Sequence, residues 1–244
     1  MPGENGALAD QRRSPHFVSR KLHSLSGVLP IGLFLCMHLA TNASILGGPQ
    51  VFQDNVDRIH SLHPYLIPVE IVGIFLPLAF HAALGVRIWL TGVSNTSRYS
   101  YFANIRYSLQ RLTSVIVLFF IVFHLWHMHW TGKPFGGGAF DPESPMASYT
   151  AGVAIQHARW YAPVYAIGIA AACFHFANGL WTFLIAWGIT IGVNAQRKAG
   201  YLCASIGVGV CVLGWAALWT FRNTPPEQFW LPVRSVVVEA NRHG

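Results

Sequence analysis

Five stretches of this chain are too long and too apolar to be the core helices of a soluble domain. A helix needs about 20 mostly apolar residues to cross a bilayer, and residues 22–46, 69–90, 108–130, 163–193 and 201–221 each meet that requirement. In hydrocarbon every backbone polar group must be satisfied within the protein, which leaves helices or a closed barrel. Unbroken apolar runs of this length select helices. The expected fold is all-α: one domain over residues 1–244, an integral membrane bundle of five transmembrane helices. Charged residues make up only 10% of the chain, against about 25% in soluble domains. Pro30, Pro68 and Pro77 lie in or beside spans, where neighbouring groups can take up the carbonyls they free. Gly200 is expected to separate the last two spans, and the fourth window is long enough to tilt or protrude. Residues 1–15 are polar and the first apolar run is too long for the core of a cleavable signal.

The net charge of +7 and pI near 9.5 do not point to nucleic acid, because the basic residues flank apolar spans instead of forming a patch. Arg12, Arg13, Arg20, Lys21, Arg87, Arg98, Arg106, Arg111, Arg197 and Lys198 fall on one side. Arg58, Lys133, Arg159, Arg222, Arg234 and Arg242 fall on the other. The positive-inside rule then puts the N-terminus in the cytoplasm and the C-terminus outside. Trp126, Trp130, Trp160, Trp215, Trp219 and Tyr161 cluster toward one set of helix ends, as an interfacial belt does. Cys36, Cys173, Cys203 and Cys211 each sit in an apolar run and read as small packing residues.

Ionisable side chains at membrane depth are costly, so each prompts a functional question. Of the 12 histidines, four lie deep in apolar surroundings on four different spans: His38, His81, His124 and His175. His38 follows residue 22, and His124 residue 108, by 16 positions. Both helices enter from the cytoplasm, so each imidazole is roughly 24 Å in. His81 and His175 each lie 12 positions into helices that enter from outside, roughly 18 Å from the outer face. His38 with His124 therefore forms an outer pair and His81 with His175 an inner one. The levels differ by on the order of 10 Å within a core of about 30 Å, which suits two stacked haems. Phe80-His81-Ala82-Ala83-Leu84-Gly85 and Phe174-His175-Phe176-Ala177-Asn178-Gly179 share the pattern F-H-x-A-x-G. Gly85 and Gly179, one turn after the histidines, would let a flat macrocycle approach the backbone. Two axial histidines leave no open site on the iron, so such a haem transfers electrons and does not activate oxygen. His124, His127 and His129 also spell H-x-x-H-x-H, the form of a di-iron histidine box. Such enzymes need several boxes, and His127 and His129 read instead as interfacial residues beside Trp126 and Trp130.

The stretches His23-Ser24-Leu25-Ser26-Gly27-Val28, Phe80-His81, Leu109-Gln110-Arg111-Leu112-Thr113 and Phe174-His175-Phe176-Ala177-Asn178-Gly179-Leu180-Trp181 carry a resemblance. Over residues 19–197 the chain resembles the single-polypeptide, five-helix di-haem cytochrome b subunit of bacterial succinate dehydrogenase and fumarate reductase. The resemblance implies that His38, His81, His124 and His175 are the axial ligands, the first and third on one haem and the second and fourth on the other. It implies two b haems, a flavoprotein with covalent FAD and an iron–sulfur subunit on the cytoplasmic face, and a quinone, usually menaquinone, as electron partner. It also implies the bacterial inner membrane. The chain itself has no flavin fold and no cysteine spacing for iron–sulfur clusters.

Arg20, Arg106 and Arg111 near cytoplasmic helix ends suit haem propionates or serve as topology anchors. Lys21 lies beside them. Ser26 and His23 are candidates for propionate or quinone on that side. For the proton that quinone chemistry moves, Asp54 is the nearest positional match to the loop carboxylate of menaquinol-oxidising relatives. Glu70, at the outer start of span two, is the other candidate. Cys173 stands where some fumarate reductases of this family carry a glutamate two residues before the fourth ligand, which weakens that reading without fixing direction. Cytochrome b anchors of hydrogenase or formate dehydrogenase are the alternatives, disfavoured by the FHFANGLW segment. A haem-free anchor or transporter is another, for which four matched histidines would be gratuitous. Residues 131–162 form a long outer connection placed to cap a quinone site, and residues 223–244 show no readable pattern.

Overall fold

The computed structural model describes residues 15–91, 102–130 and 140–230. Arg12, Arg13, Arg98, Lys133, Arg234, Arg242 and the glycines at 136–138 lie outside them. The described residues are helical, with no strand among them. Five helices are long and apolar enough to cross a membrane: Phe17–Gly47, Leu66–Thr91, Asn104–His129, Tyr161–Ala186 and Val193–Asn223. The fold is thus all-α with five membrane-spanning helices. Large apolar side chains such as Leu33, Val72, Leu90 and Phe119 point outward, the side that faces lipid when a helix has too few protein neighbours to cover it.

Span one is built of α1 (Pro15–Ser26), a wide π-helical turn (Gly27–Gly32) and α2 (Leu33–Ala43). Pro30 lies inside the turn. It has no N–H to give the carbonyl one turn back, and a π turn re-routes those bonds. Span two repeats the device, with α4 (Leu66–Glu70), a π turn (Ile71–Phe75) and α5 (Leu76–Thr91), Pro77 standing just beyond the turn. Between them, α3 (Pro49–His60) begins at Gly48, whose φ of 108° only glycine adopts readily. Span three is α6 (Phe102–His124) and a π turn (Leu125–Trp130). A short helix, α7 (Ala147–Gln156), precedes α8 (Tyr161–Ala186) and α9 (Val193–Asn223), and a 3-10 turn (Pro226–Trp230) follows.

The last two spans divide differently from the sequence expectation. The fourth helix stops at Ala186, seven residues short of the expected end, and Gly200 lies inside α9. The break falls at residues 187–192, where Gly188 and Gly192 take φ of 71° and 85°. The intervening Ile189 and Ile191 are apolar, which extended the hydrophobic run through the turn. Gly200 serves close packing instead: a Cβ there would meet Trp181 Nε1 at 3.1 Å. Arg197 and Lys198 accordingly belong to the first turns of α9 and not to a loop.

The chain divides into two compact units. The first comprises Met1–Leu35, Pro68–Ser114 and Phe174–Gly207. In it α1 packs on α5, and Lys21 Nζ hydrogen-bonds the Ala186 carbonyl while lying 4.6 Å over the Trp187 ring. That cation closes the C-terminal end of α8, where the helix dipole favours it. The second comprises Cys36–Ile67, Val115–Cys173 and Val208–Gly244. Its core gathers Ile45, Phe52, Val56, Ala147, Ala151, Ile155, Phe221 and Phe229, so the two long connections fold onto the spans as helices. Gln53 ties them: its Oε1 accepts the Ala147 N–H at 2.8 Å, and its Nε2 donates to the Ser144 carbonyl at 3.2 Å. Phe229, 2% exposed, sits against Gly152, where a Cβ would lie 2.6 Å from its ring. The segment without readable pattern thus holds a core residue.

Candidate functional site: two histidine pairs

In the first unit His81 and His175 face each other with ring centroids 6.2 Å apart and planes at 88°. His81 comes from span two and His175 from span four, within the two F-H-x-A-x-G segments. The Nδ1–H of His81 donates to the His23 carbonyl at 2.9 Å. His23 stacks on His81 at 3.9 Å, and its own Nδ1 donates to the His81 carbonyl at 3.1 Å. Ser26 Oγ donates to the His23 carbonyl at 3.0 Å and lies 3.4 Å from His81 Nδ1. Gly27 makes this approach possible, since a Cβ there would sit 2.4 Å from His81 Cε1. Span one therefore holds the His81 ring in place with its Nε2 left for another partner.

His175 is held through its backbone. Gln110 Nε2 donates to the His175 carbonyl at 3.1 Å, and Gln110 Oε1 accepts from Asn178 Nδ2 at 2.8 Å. Asn178 Oδ1 accepts from Arg106 Nε at 2.9 Å, and the guanidinium lies 3.6 Å over the Trp181 ring. Asn178 is buried, so its full set of partners matters. Nδ1 of His175 is buried without a hydrogen bond of ordinary length, although the ring lies close enough to the Gln110 backbone to interact with it.

In the second unit His38 and His124 lie 5.8 Å apart, centroid to centroid, with planes at 76°. His38 Nε2 is 3.4 Å from Asn42 Nδ2, whose closer bond at 2.8 Å goes to the His38 carbonyl. His124 Nδ1 lies 3.3 Å from the Tyr165 hydroxyl. His127, read from the sequence as an interfacial residue, packs inside the protein. It is 5% exposed, with Nδ1 2.8 Å from the same hydroxyl, because three residues along a helix return to the same face as His124. Tyr161, expected in the aromatic belt, is buried against His127, ring centroids 4.2 Å apart. His129 is exposed.

Both pairs suit a shared metal. Two imidazoles on one metal, each bond about 2.0 Å and each nitrogen about 1 Å from its ring centre, put the centroids on the order of 6 Å apart. The two separations match that spacing, which makes His81 with His175 and His38 with His124 the candidate residues for holding a haem iron.

The other candidates are dispersed. Arg111 donates to the Trp89 carbonyl at 2.8 Å and to Tyr107 Oη at 3.1 Å. Arg20 is exposed. Gly85 faces His23 Cε1, 3.2 Å from where a Cβ would stand, and Gly179 has only Gln110 Nε2 at 3.7 Å. Asp54 is exposed and accepts from Gln50 Nε2 at 2.8 Å. Glu70 is half-buried at the end of α4. Asp54 belongs to the second unit and Glu70 to the first.

Among known proteins, the chain is 36% identical over 205 residues to the "Succinate dehydrogenase cytochrome b558 subunit" of Bacillus subtilis (strain 168), covering 84% of this chain and 96% of that protein. This chain belongs to the succinate dehydrogenase cytochrome b subunit family. No protein-family model matches the chain. Membership agrees with five apolar spans, the build of a multi-pass membrane anchor. Tyr165 and Asn42 escaped the sequence reading of this family member. The signal for Tyr165 was the i, i+3 placement of His124 and His127, which lets one hydroxyl on a neighbouring span serve both.

Proposed function

We infer that this subunit holds two b haems, one between His81 and His175 and one between His38 and His124, and carries electrons between an iron–sulfur subunit and a membrane quinone. The observation that carries the reading is the spacing of two intramembrane histidine pairs at 6.2 and 5.8 Å. A haem held by the two histidines of a pair would supply one-electron transfer. The chain does the rest. His81 donates its Nδ1 proton to the His23 carbonyl, which fixes the tautomer that offers Nε2 to a metal. Gln110 bonds the His175 backbone, Asn178 bonds Gln110, and Arg106 bonds Asn178. Apolar spans surround the rings, and a haem held by two histidines would be suited to electron transfer.

The partners in this reading are a flavoprotein with FAD and an iron–sulfur subunit, docked on the face that carries Arg20, Lys21, Arg197 and Lys198. That face is cytoplasmic by the positive-inside rule, in a bacterial inner membrane. In succinate oxidation the quinone is reduced, and Asp54 or Glu70 relays the protons it takes up, with menaquinone as the expected quinone. The relative's name favours succinate oxidation over the reverse direction. The test uses the complex purified with its natural partners: succinate is added and the reduced b-type bands are followed, then a menaquinone analogue is added to reoxidise them. Bands that appear with succinate and fade with the quinone support the reading. Bands that succinate leaves oxidised, but dithionite reduces, remove succinate as the donor.

A further inference from the structure

Two buried polar groups of the second unit, Tyr165 and His127, have no task in the electron-transfer reading. They are 6% and 5% exposed. A phenol and an imidazole in an apolar surround are costly unless hydrogen-bonded, and here they serve each other, Oη to Nδ1, at 2.8 Å. The same Oη lies 3.3 Å from Nδ1 of His124. The His127 ring also bonds the backbone of Ala154 on α7. Packing fixes the phenol: Phe120 and Phe123 contact the Tyr165 ring at 5.4 and 5.8 Å between centroids.

A phenol has one proton and can donate it to only one of the two histidines. The chemistry at His124 decides which. A neutral imidazole that gives Nε2 to a metal keeps its proton on Nδ1. His124 then donates to Tyr165 Oη, and Tyr165 donates to His127 Nδ1. His127, protonated on Nε2, donates to the Ala154 carbonyl. Every donor meets an acceptor and all three bonds run in one direction. The opposite polarity would make His124 Nδ1 an acceptor and put the ring proton on the nitrogen the metal needs.

We propose that Tyr165, backed by His127, is a positioning residue that fixes the tautomer of His124 and sets the potential of the haem held by His38 and His124. The inference rests on the reading of that pair as axial ligands. An acceptor on Nδ1–H leaves more electron density on the ring, which favours the ferric iron and lowers the potential. His81 receives the same service from a backbone carbonyl that no side-chain substitution removes. The acceptor for His124 is a side chain whose strength depends on a second side chain, so this haem is the adjustable one.

Tyr165→Phe keeps the ring and removes the hydroxyl. In redox titrations of the whole complex, the oxidised-to-reduced ratio of the His38/His124 haem at fixed potential falls about fivefold, the worth of one ordinary hydrogen bond. The other haem does not move. The low-spin ferric EPR signal of the affected haem shifts as its ligand ring is released. His127→Phe, which removes only the acceptor for the hydroxyl, moves the same haem in the same direction by less. His127→Gln, whose amide oxygen accepts a hydrogen bond, restores the wild-type value. An unmoved potential in Tyr165→Phe with both haems bound overturns the inference and leaves the axial-ligand reading standing. Should that variant not assemble, equal potentials in His127→Phe and His127→Gln overturn it. Retention of both haems by His124→Ala overturns the inference together with the axial-ligand reading.

Discussion

Gly27→Ala adds one methyl group to the turn that holds His81, and its effect can be worked from the geometry. The new Cβ would stand 2.4 Å from His81 Cε1 and 2.9 Å from Nδ1. Carbon atoms settle no closer than about 3.5 Å, so the ring must retreat by roughly 1 Å. The retreat stretches the 2.9 Å bond from Nδ1 to the His23 carbonyl and displaces the ring from a face-to-face stack with His23. Metal–ligand distances tolerate about 0.2 Å, so a shift of that size removes His81 as a ligand. The overpacking itself costs about 1–3 kcal/mol, too little to prevent a five-span protein from assembling. The expected result is a folded subunit that binds the His38/His124 haem and loses the other. Pyridine haemochrome analysis of the purified complex then reads one haem per subunit in place of two. Gly209→Ala, at a position with no atom within 4 Å of the added Cβ, is the control and keeps both. Two tightly held haems in Gly27→Ala would refute the claim that span one positions the His81 ring.

Three further substitutions separate the parts of the account. Gly179→Ala places a methyl group 3.7 Å from the nearest protein atom, so the protein alone tolerates it. Loss of the His81/His175 haem with unchanged thermal stability of the remainder is expected, and marks a macrocycle lying against that helix. Asn178→Leu removes the bonds that Asn178 makes to Arg106 Nε and Gln110 Oε1, costs about 1–3 kcal/mol, and should lower the temperature at which the same haem is released. Gln53→Leu strips the Ala147 N–H and the Ser144 carbonyl of their bonds. It is expected to cost about as much and to speed proteolytic cleavage ahead of α7 while both haems stay bound.

How far this architecture can be read from the chain depends on what each element owes to local pattern. The five spans follow from run length alone, and the histidines paired by depth lie 6.2 and 5.8 Å apart, ring to ring, among other aromatic contacts. The break between α8 and α9 was hidden because the turn at 187–192 is itself apolar, with Ile189 and Ile191 exposed; only the positive φ of Gly188 and Gly192 marks it. Gly200, the more conspicuous breaker, is consumed by contact with Trp181. α3 and α7 were read as connections because neither lies in an apolar run long enough to cross a membrane. Their stability comes from contacts between residues far apart in sequence, Phe52 and Gln53 on one side and Ala147 and Phe229 on the other. Tyr165 and its partnership with His127 were not legible, since a hydroxyl bridging two histidines on another span is a tertiary fact.

The central claim is that two histidine pairs each hold one haem, and the direct measurement is the haem content of single-ligand variants. Dithionite-reduced minus oxidised spectra of the purified complex, recorded while haem is titrated in, should reach two b haems per subunit in the wild type. His81→Ala and His124→Ala should each reach one, and the bands that remain should differ between the two variants. Wild-type protein that binds no haem, or a variant that still binds two, would contradict the account.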